Sequence, residues 1–500
     1  MRFLDYHYDG AMRKASAGFS PVIALDRSAS TPLHRQICEA FKAAILDGSL
    51  GAGQQVPSTR SLSQELGVSR IPILNAYAQL LAEGYFETRT GAGTFVSATL
   101  PEQPEQGASG SPVVRRGRQE DPAVSRDSVR LTGIPWAYGY GAFSIGQLAF
   151  DQFPIRTWSN LVCRHARRIR ARSLNYGDAK GSKEFREAIA TYLRTARAVH
   201  CEAGQIVVVS GSQQALDLSA RVLFDRRNRV WVEEPSYGLM RHALTLAGCE
   251  LVPVPVDQSG LDVSAGIKLC RQAKGAYVTP SHQFPLGVTM SASRRLQLLD
   301  WAERAGSWIV EDDYDSEYRY ESMPIASLQG LDRNSRVVYI GTFSKTLFPA
   351  VRLGYMVLPP DLVDHFVAMR RVMDIFPSSL YQSVLADFIN QGHFARHIRR
   401  TRMLYAERRT ALVDAIRSEF GDELEICGSE AGMHLVVILP KGFRDDEIAA
   451  RAALRKLWLW PLSRTYAGKP ARNGFILGFA ATPAREFPAA VRRLKSVLTA

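Results

Sequence analysis

Lys345 stands in a segment that brings an amine, a hydroxyl and a fixed cation close together, GTFSKTLFPAVRLGY at 341–355. A lysine amine can condense with an aldehyde to form an imine, a Schiff base. Ser344 supplies a hydroxyl and Arg352 a planar cation, both suited to a phosphate group. The preceding VVYI at 337–340 predicts a buried strand, so Lys345 follows a strand's carboxyl end, where open α/β sheets bind ligands. The segment therefore indicates capture of a phosphorylated aldehyde.

A cluster of carboxylates follows the strand before. SWIV at 307–310 predicts a strand that runs into EDDYDSEY at 311–318. A pyridine-ring aldehyde needs a carboxylate against its ring nitrogen, because the protonated ring is the better electron sink. Alternation along the strand does not decide which of Glu311, Asp312 and Asp313 points inward. An acidic turn and a divalent-metal cluster are the alternative interpretations.

A third segment, QIVVVSGSQQALDL at 205–218, predicts a strand, a turn of small residues and a helix. The free backbone amides at the start of such a helix can hold a phosphate, and Gly211, Ser212 and Gln213 are the candidate contacts. Tyr237, which follows the next apolar run, is a candidate to stack on a planar ring. A packed core tyrosine is the alternative.

Together, these segments resemble the fold-type I aminotransferases, an α/β fold that depends on pyridoxal 5'-phosphate. The resemblance covers residues 135–500 and implies catalytic roles for Lys345 in the imine, Asp312 at the ring nitrogen and Tyr314 at the ring oxygen. It also implies that Tyr176 reaches the cofactor phosphate of a neighbouring subunit, and hence a homodimer. The predicted cofactor-binding residues are Tyr176, Gly211, Ser212, Gln213, Tyr237, Asp312, Tyr314, Ser344, Lys345 and Arg352.

The chain departs from a plain aminotransferase at two places. Phe284, in TPSHQFPLG at 279–287, stands where the family's Asn-Pro-Thr-Gly carries the asparagine that bonds the ring oxygen. GFILGFA at 474–480 resembles the strand that normally carries the arginine for the substrate carboxylate, yet it holds no arginine. Arg464 is predicted to hold an effector carboxylate instead, because its planar, permanently charged fork suits that group.

Residues 25–97 predict a separate small domain. Thr31 is expected to cap a first helix that ends before Gly48, and Ser58 a short second helix. A third helix is expected over 69–81, followed by a two-stranded hairpin with glycines at its tip. Helix, helix, recognition helix and hairpin is the order of a winged helix-turn-helix, which is mainly α with a β wing.

Three short segments of this domain resemble the GntR family: VPSTRSL at 56–62, GVSR at 67–70 and GAGTFV at 91–96. By that resemblance the arginines contact phosphates or guanine edges, and the wing glycines let the backbone approach a groove. The predicted DNA-binding residues are Ser58, Arg60, Ser69, Arg70, Asn75, Gly91 and Gly93. A structural or dimerisation domain is the alternative.

The recognition helix itself departs from the family pattern. Ile71 and Pro72 stand where polar residues are usual, and Leu74 where an arginine can sit. Pro72 lies in the first helical turn, where its missing amide proton costs little. These changes affect the reading of bases rather than the fold.

Residues 98–134 are rich in Pro, Gly and Ser and predict a flexible linker. The 500-residue chain has a formal charge of +13. Residues 1–97 hold nine Lys/Arg against eight Asp/Glu, and residues 98–134 hold five of each, so the body carries the remaining +12. Part of this charge is expected on solvated helix faces, and part is a candidate track for bent DNA.

The six cysteines show neither pairing nor a metal-ligand spacing such as Cys-x-x-Cys, so the sequence predicts a reducing cytoplasm and no metal site. The chain shows no signal peptide and no apolar run that would span a bilayer, so no membrane partner is expected.

Together, the two halves resemble the MocR/GabR type of bacterial regulator. The resemblance implies a pyridoxal-phosphate-dependent transcription regulator that binds a double-stranded operator as a homodimer, head to tail. It would sense a small amino compound, or pyridoxal phosphate itself, through Schiff-base chemistry at Lys345. One alternative is a true aminotransferase with a DNA-binding appendage. The other is a DNA-binding protein whose body is a cofactor-free scaffold.

Overall fold

The computed structural model describes residues 23–98, 141–320 and 326–499. They fall into two compact units, a head and a body, divided between Gln119 and Glu120. The predicted linker at 98–134 lies outside the described residues except for Ala98.

The head is a three-helix unit with a hairpin, as predicted. Its elements are α1 Leu33–Leu46, α2 Thr59–Glu65, α3 Arg70–Ala82, β1 Phe86–Arg89 and β2 Gly93–Val96, the two strands antiparallel. The Ser58 hydroxyl accepts the Ser61 amide at 3.1 Å, which confirms the predicted cap of α2. The predicted Thr31 cap is wrong. Pro32 is the N-cap residue, since its carbonyl accepts the first hydrogen bonds of the helix, from the Arg35 and Gln36 amides at 2.9 and 3.2 Å.

Three aromatic rings fix the head's elements to one another. Phe41 of α1, Tyr77 of α3 and Phe86 of β1 are buried and meet edge to face, with ring centroids 5.2 to 5.8 Å apart. Edge-to-face pairs add to the stabilisation from burial alone. At the wing tip, Gly91 and Gly93 have φ of +74° and +111°, values that side chains disfavour.

The body is built on an eight-stranded sheet in the order β3-β10-β9-β8-β7-β4-β5-β6. The strands β7, β4 and β5 run parallel with β8 and β9, and β10 runs against its neighbours. The bounds are β3 Ile206–Val209, β4 Arg229–Glu234, β5 Glu250–Asp257, β6 Gly260–Leu261, β7 Gly275–Val278, β8 Trp308–Asp313, β9 Val337–Thr342 and β10 Gly354–Val357.

Both faces of this sheet are buried, as the continuous apolar strands predict. In β3, Val207 and Val209 pack into one core cluster, whereas Ile206 and Val208 pack into another. The helices of the body are α4 Ile155–Ala166, α5 Lys183–Ala196, α6 Ser212–Leu223, α7 Gly238–Leu246, α8 Val263–Cys270, α9 Ala292–Ala305, α10 Leu328–Leu331, α11 Val363–Asp374, α12 Ser379–Asn390, α13 His393–Phe420, α14 Asp445–Leu454 and α15 Phe487–Leu498.

A second, antiparallel sheet of four strands has the order β11-β12-β14-β13. Its strands are β11 Glu425–Cys427, β12 His434–Ile438, β13 Trp460–Pro461 and β14 Gly474–Gly478. The start of the body is tied to this sheet by a bridge between Phe143 and Gly478. Within the described ranges, no helix is both long and apolar enough to cross a membrane.

Candidate functional site

A cavity of about 680 Å³ lies beside the carboxyl ends of β8 and β9. A volume of this size accommodates a cofactor or a small ligand. Eight of the ten predicted cofactor-binding residues line it: Ser212, Gln213, Tyr237, Asp312, Tyr314, Ser344, Lys345 and Arg352.

The structure answers which acidic side chain of β8 points into the cavity. Asp312 lines it, whereas Asp313 projects from the other face and accepts the Arg197 guanidinium at 2.9 Å. Glu311 accepts two backbone amides at the start of α10, each at 2.8 Å. The neighbours of Asp312 therefore have structural partners of their own.

Asp312 keeps one carboxylate oxygen available. Its Oδ2 accepts the Tyr277 hydroxyl at 2.6 Å, while its buried Oδ1 has no hydrogen-bond partner among the described residues. Burial raises the pKa of Asp312 to about 7, and the Tyr277 hydrogen bond opposes this shift. An aligned cationic N–H would relieve both the unpaired oxygen and the cost of burying the charge.

Lys345 enters the cavity from the segment after β9. Its amine is buried, and burial lowers its pKa, while the nearby carboxylates of Asp315 and Asp312 oppose the shift. A lower pKa increases the uncharged fraction of the amine, which is the form that attacks an aldehyde.

The other end of the cavity is suited to an anion. Ser212 begins α6, whose first backbone amides are free to donate, and Ser344 and Arg352 line the same cavity. Gly211 has φ of +103°, and a Cβ atom on it would lie 3.3 Å from Nη1 of Arg352. A glycine at this position therefore lets the guanidinium lie against the start of the helix.

Three aromatic rings that contact one another also line the cavity. Phe284 meets Tyr237 edge to face, with centroids 5.7 Å apart, and Tyr314 at 6.3 Å. The Tyr314 hydroxyl lies 3.0 Å from Nδ1 of His282. Phe284 thus contributes shape where the family asparagine would contribute a hydrogen bond.

A group that the sequence analysis did not single out lies beside Tyr314. His282, Asp315 and His434 are buried, and one ring nitrogen of each histidine and one carboxylate oxygen of Asp315 lie within 4.8 Å of one another. Nδ1 of His282 lies 3.0 Å from Oδ2 of Asp315, and Nε2 of His434 donates to the Pro285 carbonyl at 3.0 Å. Asp315 follows Asp312 closely, which is a usable sequence signal, but His434 comes from β12 and had none.

Three predicted residues of the body, Gly211, Tyr176 and Arg464, are not among those that line the cavity. Tyr176 is 77% exposed, and its ring lies 5.9 Å from that of Phe376. Arg464 is exposed, with its guanidinium 5.6 Å from the ring centroid of Trp460. It belongs to a turn whose Leu462 and Thr465 are buried, so its side chain points outward. The geometry does not support its predicted role as the carboxylate clamp.

In the head, the predicted DNA-binding residues are all exposed: Ser58, Arg60, Ser69, Arg70, Asn75, Gly91 and Gly93. They lie on or beside α2, α3 and the wing. The Arg70 guanidinium lies 3.3 Å from the Thr59 hydroxyl, which holds the start of α3 close to that of α2.

Comparison with known proteins agrees with this division. Residues 142–465 match the family model of class I and II aminotransferases, and residues 33–96 match that of the GntR family of bacterial regulatory proteins. The probable rhizopine catabolism regulatory protein MocR of Rhizobium meliloti is 40% identical over 96% of each chain. The chain belongs to the MocR/GabR type of transcription regulator.

Other relatives share the same arrangement or its body. The pyridoxine biosynthesis regulator PdxR of Corynebacterium glutamicum is 31% identical over 91% of this chain and 94% of its own. The α-aminoadipate aminotransferase LysN of Thermus thermophilus, solved with N-(5'-phosphopyridoxyl)-L-leucine, is 26% identical with a TM-score of 0.69. That match covers 75% of this chain and 96% of LysN.

Replacement of Asp312 by Asn should flatten the pH dependence of stability of the ligand-free protein. Burial raises the pKa of Asp312 from 3.8 to about 7, so between these values the folded chain keeps a proton that the unfolded chain has lost. Each such group lowers the free energy of unfolding by up to about 1.4 kcal/mol per pH unit as pH rises. Urea unfolding of the body at several pH values from 4 to 7 measures the slope.

The exposed Asp300, which pairs with Arg304 on α9, provides the control. Asp300→Asn should retain the wild-type slope of the free energy of unfolding against pH. Asp312→Asn should make that slope less steep by the contribution of one titrating group, up to about 1.4 kcal/mol per pH unit. Equal slopes in the two variants would contradict the pKa assigned to Asp312.

Proposed function

We propose that this regulator binds pyridoxal 5'-phosphate in the cavity and uses it to sense a small amino compound or the cofactor itself. The single observation that carries the proposal is the set of groups that share this cavity. A helix start suited to an anion, a lysine amine and a carboxylate with an unpaired oxygen all line the same space.

The residues present fit this cofactor. Ser212, Ser344 and Arg352 would hold its phosphate, and Asp312 would accept its ring N–H through Oδ1. When bound, the cofactor supplies an aldehyde for reversible capture of an amine and a ring that withdraws electrons. Tyr237 and Phe284 would fix the plane of the ring and exclude water from one side.

Regulation is favoured over turnover by the whole-length similarity to MocR and PdxR and by the exposed DNA-binding set on the head. An aminotransferase remains the second candidate, because Lys345, Asp312 and Tyr314 face one cavity. Sustained production of a keto acid from an amino donor would establish that activity. A cofactor-free scaffold gives no reason for an unpaired carboxylate oxygen beside a buried lysine.

Lys345→Ala should abolish the covalent link to the cofactor. The variant should lack the absorption band of that link, and borohydride should not fix the cofactor to the protein, because no other amine occupies the assigned position. The intact mass after borohydride treatment measures this directly.

Lys268→Ala is the matched control, since Lys268 is exposed on α8. It should keep both the band and the borohydride adduct. A reducible band in Lys345→Ala would place the link on another lysine.

For the head, we propose that α3 lies in the major groove of an operator and that the wing contacts the adjacent backbone. Ile71 and Leu74 support contact with base edges, because they are 67% and 46% exposed on the same helix as Arg70 and Asn75. Apolar side chains at such positions contact thymine methyl groups, whereas arginine pairs with guanine.

Arg70→Ala should weaken binding to the operator by about 1–3 kcal/mol and relax the preference at one base pair, if Arg70 reads a guanine. If Arg70 instead contacts a phosphate, all sequences should weaken alike and the salt dependence should decrease. Fluorescence anisotropy with single-base operator variants separates the two cases.

Arg304→Ala, on the exposed surface of α9, is the control and should bind as the wild type does. Unchanged affinity and salt dependence in Arg70→Ala would argue against α3 as the recognition helix.

We also propose that the chain works as a head-to-tail homodimer. The support is a set of exposed apolar side chains, Leu174, Tyr176, Val372 and Ile375, on two segments that meet where Tyr176 contacts Phe376. Contiguous exposed apolar surface marks interfaces between proteins, and we propose that these side chains form one such strip. In such a dimer Tyr176 would reach the cofactor phosphate of the neighbouring subunit.

Val372→Asp should shift the protein from dimer to monomer, because it would place an unpaired charge in the strip that the proposed dimer buries. Sedimentation velocity at several concentrations measures the shift. Leu454→Asp is the control, since Leu454 is 88% exposed on α14, outside the strip. Identical sedimentation of the two variants would refute this interface.

A further inference from the structure

The cavity is short of cations for a ligand that carries a carboxylate. Among its lining residues that the structure describes, Lys345 and Arg352 are the only lysine and arginine. Arg352 lies against Gly211 at the helix start, where the proposed phosphate site is. Lys345 is the amine proposed to link the cofactor. Neither cation is left for a ligand.

The positions that could have supplied another arginine do not do so. The strand β14 presents Phe475, Ile476 and Leu477, all fully buried and apolar. Arg464 points outward onto Trp460. A carboxylate brought into this part of the cavity would therefore lose its hydration without gaining a guanidinium, which is unfavourable.

Two of the polar side chains that remain, Asp315 and His434, are acceptors. Asp315 lines the cavity with its side chain 1% exposed. His434 also lines it, and because its Nε2 donates to a carbonyl, Nδ1 of the neutral ring is an acceptor. Burial lowers the pKa of His434 to about 3, so the ring is uncharged at neutral pH.

Asp315 is within hydrogen-bond distance of one side chain at this end of its carboxylate. Nδ1 of His282 bonds to Asp315, but Nε2 of His282 is buried with no hydrogen-bond partner among the described residues. The carboxylate of Asp315 can therefore still accept hydrogen bonds from a ligand.

We propose that the ligand sensed by this regulator is an amine without a carboxylate, which carries hydroxyl or further amino groups that donate to Asp315 and His434. This inference rests on the proposed cofactor site, because the ligand's amine would be captured next to Lys345. The class includes amino alcohols and amino polyols and excludes ordinary α-amino acids.

Serinol and serine provide a matched pair of probes, because serine replaces one hydroxymethyl group of serinol by a carboxylate. Calorimetric titration of the cofactor-loaded full chain should give affinity for serinol roughly tenfold or more above that for serine, since like charges juxtaposed in a site are strongly unfavourable. Tighter binding of serine, equal binding of both, or binding of neither to cofactor-loaded protein would overturn the proposal.

Two variants assign the preference to Asp315. Asp315→Asn should lose most of the serinol preference, whereas Asp300→Asn, on the exposed face of α9, should keep it. If Asp315→Asn does not fold, the ratio measured on the wild type decides the matter alone. An unchanged ratio in a folded Asp315→Asn variant would overturn the role of Asp315.

The same samples separate this inference from the proposed function. Absence of the cofactor band in the wild type would refute the cofactor site and, with it, both proposals. A normal band together with a preference for serine would refute only the ligand class.

Discussion

The joint burial of a lysine amine and an aspartate in one cavity is the constraint on which the body depends. Charged groups are costly to bury in a protein interior, so Lys345 and Asp312 need a structure that holds them in fixed positions. Adjacent parallel strands provide it, because β8 and β9 end at the same edge and Asp312 is in register with Ile340, shortly before Lys345. The Tyr277 hydroxyl donates to one oxygen of Asp312 and leaves the other buried without a hydrogen-bond partner among the described residues.

The two acidic neighbours of Asp312 on β8, whose side chains point away from the cavity, help to hold the strand in place. Asp313 is buried against Arg197, and Glu311 accepts the amides that begin α10. Breaking a buried ion pair by removing one partner is strongly destabilising. Consecutive acids on one strand thus have different tasks, because alternation sends neighbouring side chains to opposite faces.

Local sequence patterns were enough to predict the site residues that lie in the turn between a strand and the segment that follows it. Lys345, Ser212 and Arg352 belong to such segments, and the head's order of elements follows from its caps and glycines. Contacts between distant segments were not predictable in this way. His434 joins Asp315 only because the small sheet packs beside the large one, and the outward direction of Arg464 follows from the burial of its neighbours in a tight turn.

The same packing gives a ligand a physical connection to the chain that leads to the head. Ile145 and Phe150 line the cavity, and two residues before Ile145 the backbone of Phe143 pairs with Gly478 of β14. A ligand changes a conformational equilibrium only if it binds two arrangements with different affinity. A ligand that contacts residues 145–150 meets that condition if these contacts differ between the two conformations. This segment of the body is the part of the described body that precedes the other elements in the chain and so follows the head in sequence. Because β12 carries His434 and pairs with β14, a donor group bound at His434, as proposed above, would contact the same sheet that anchors this segment.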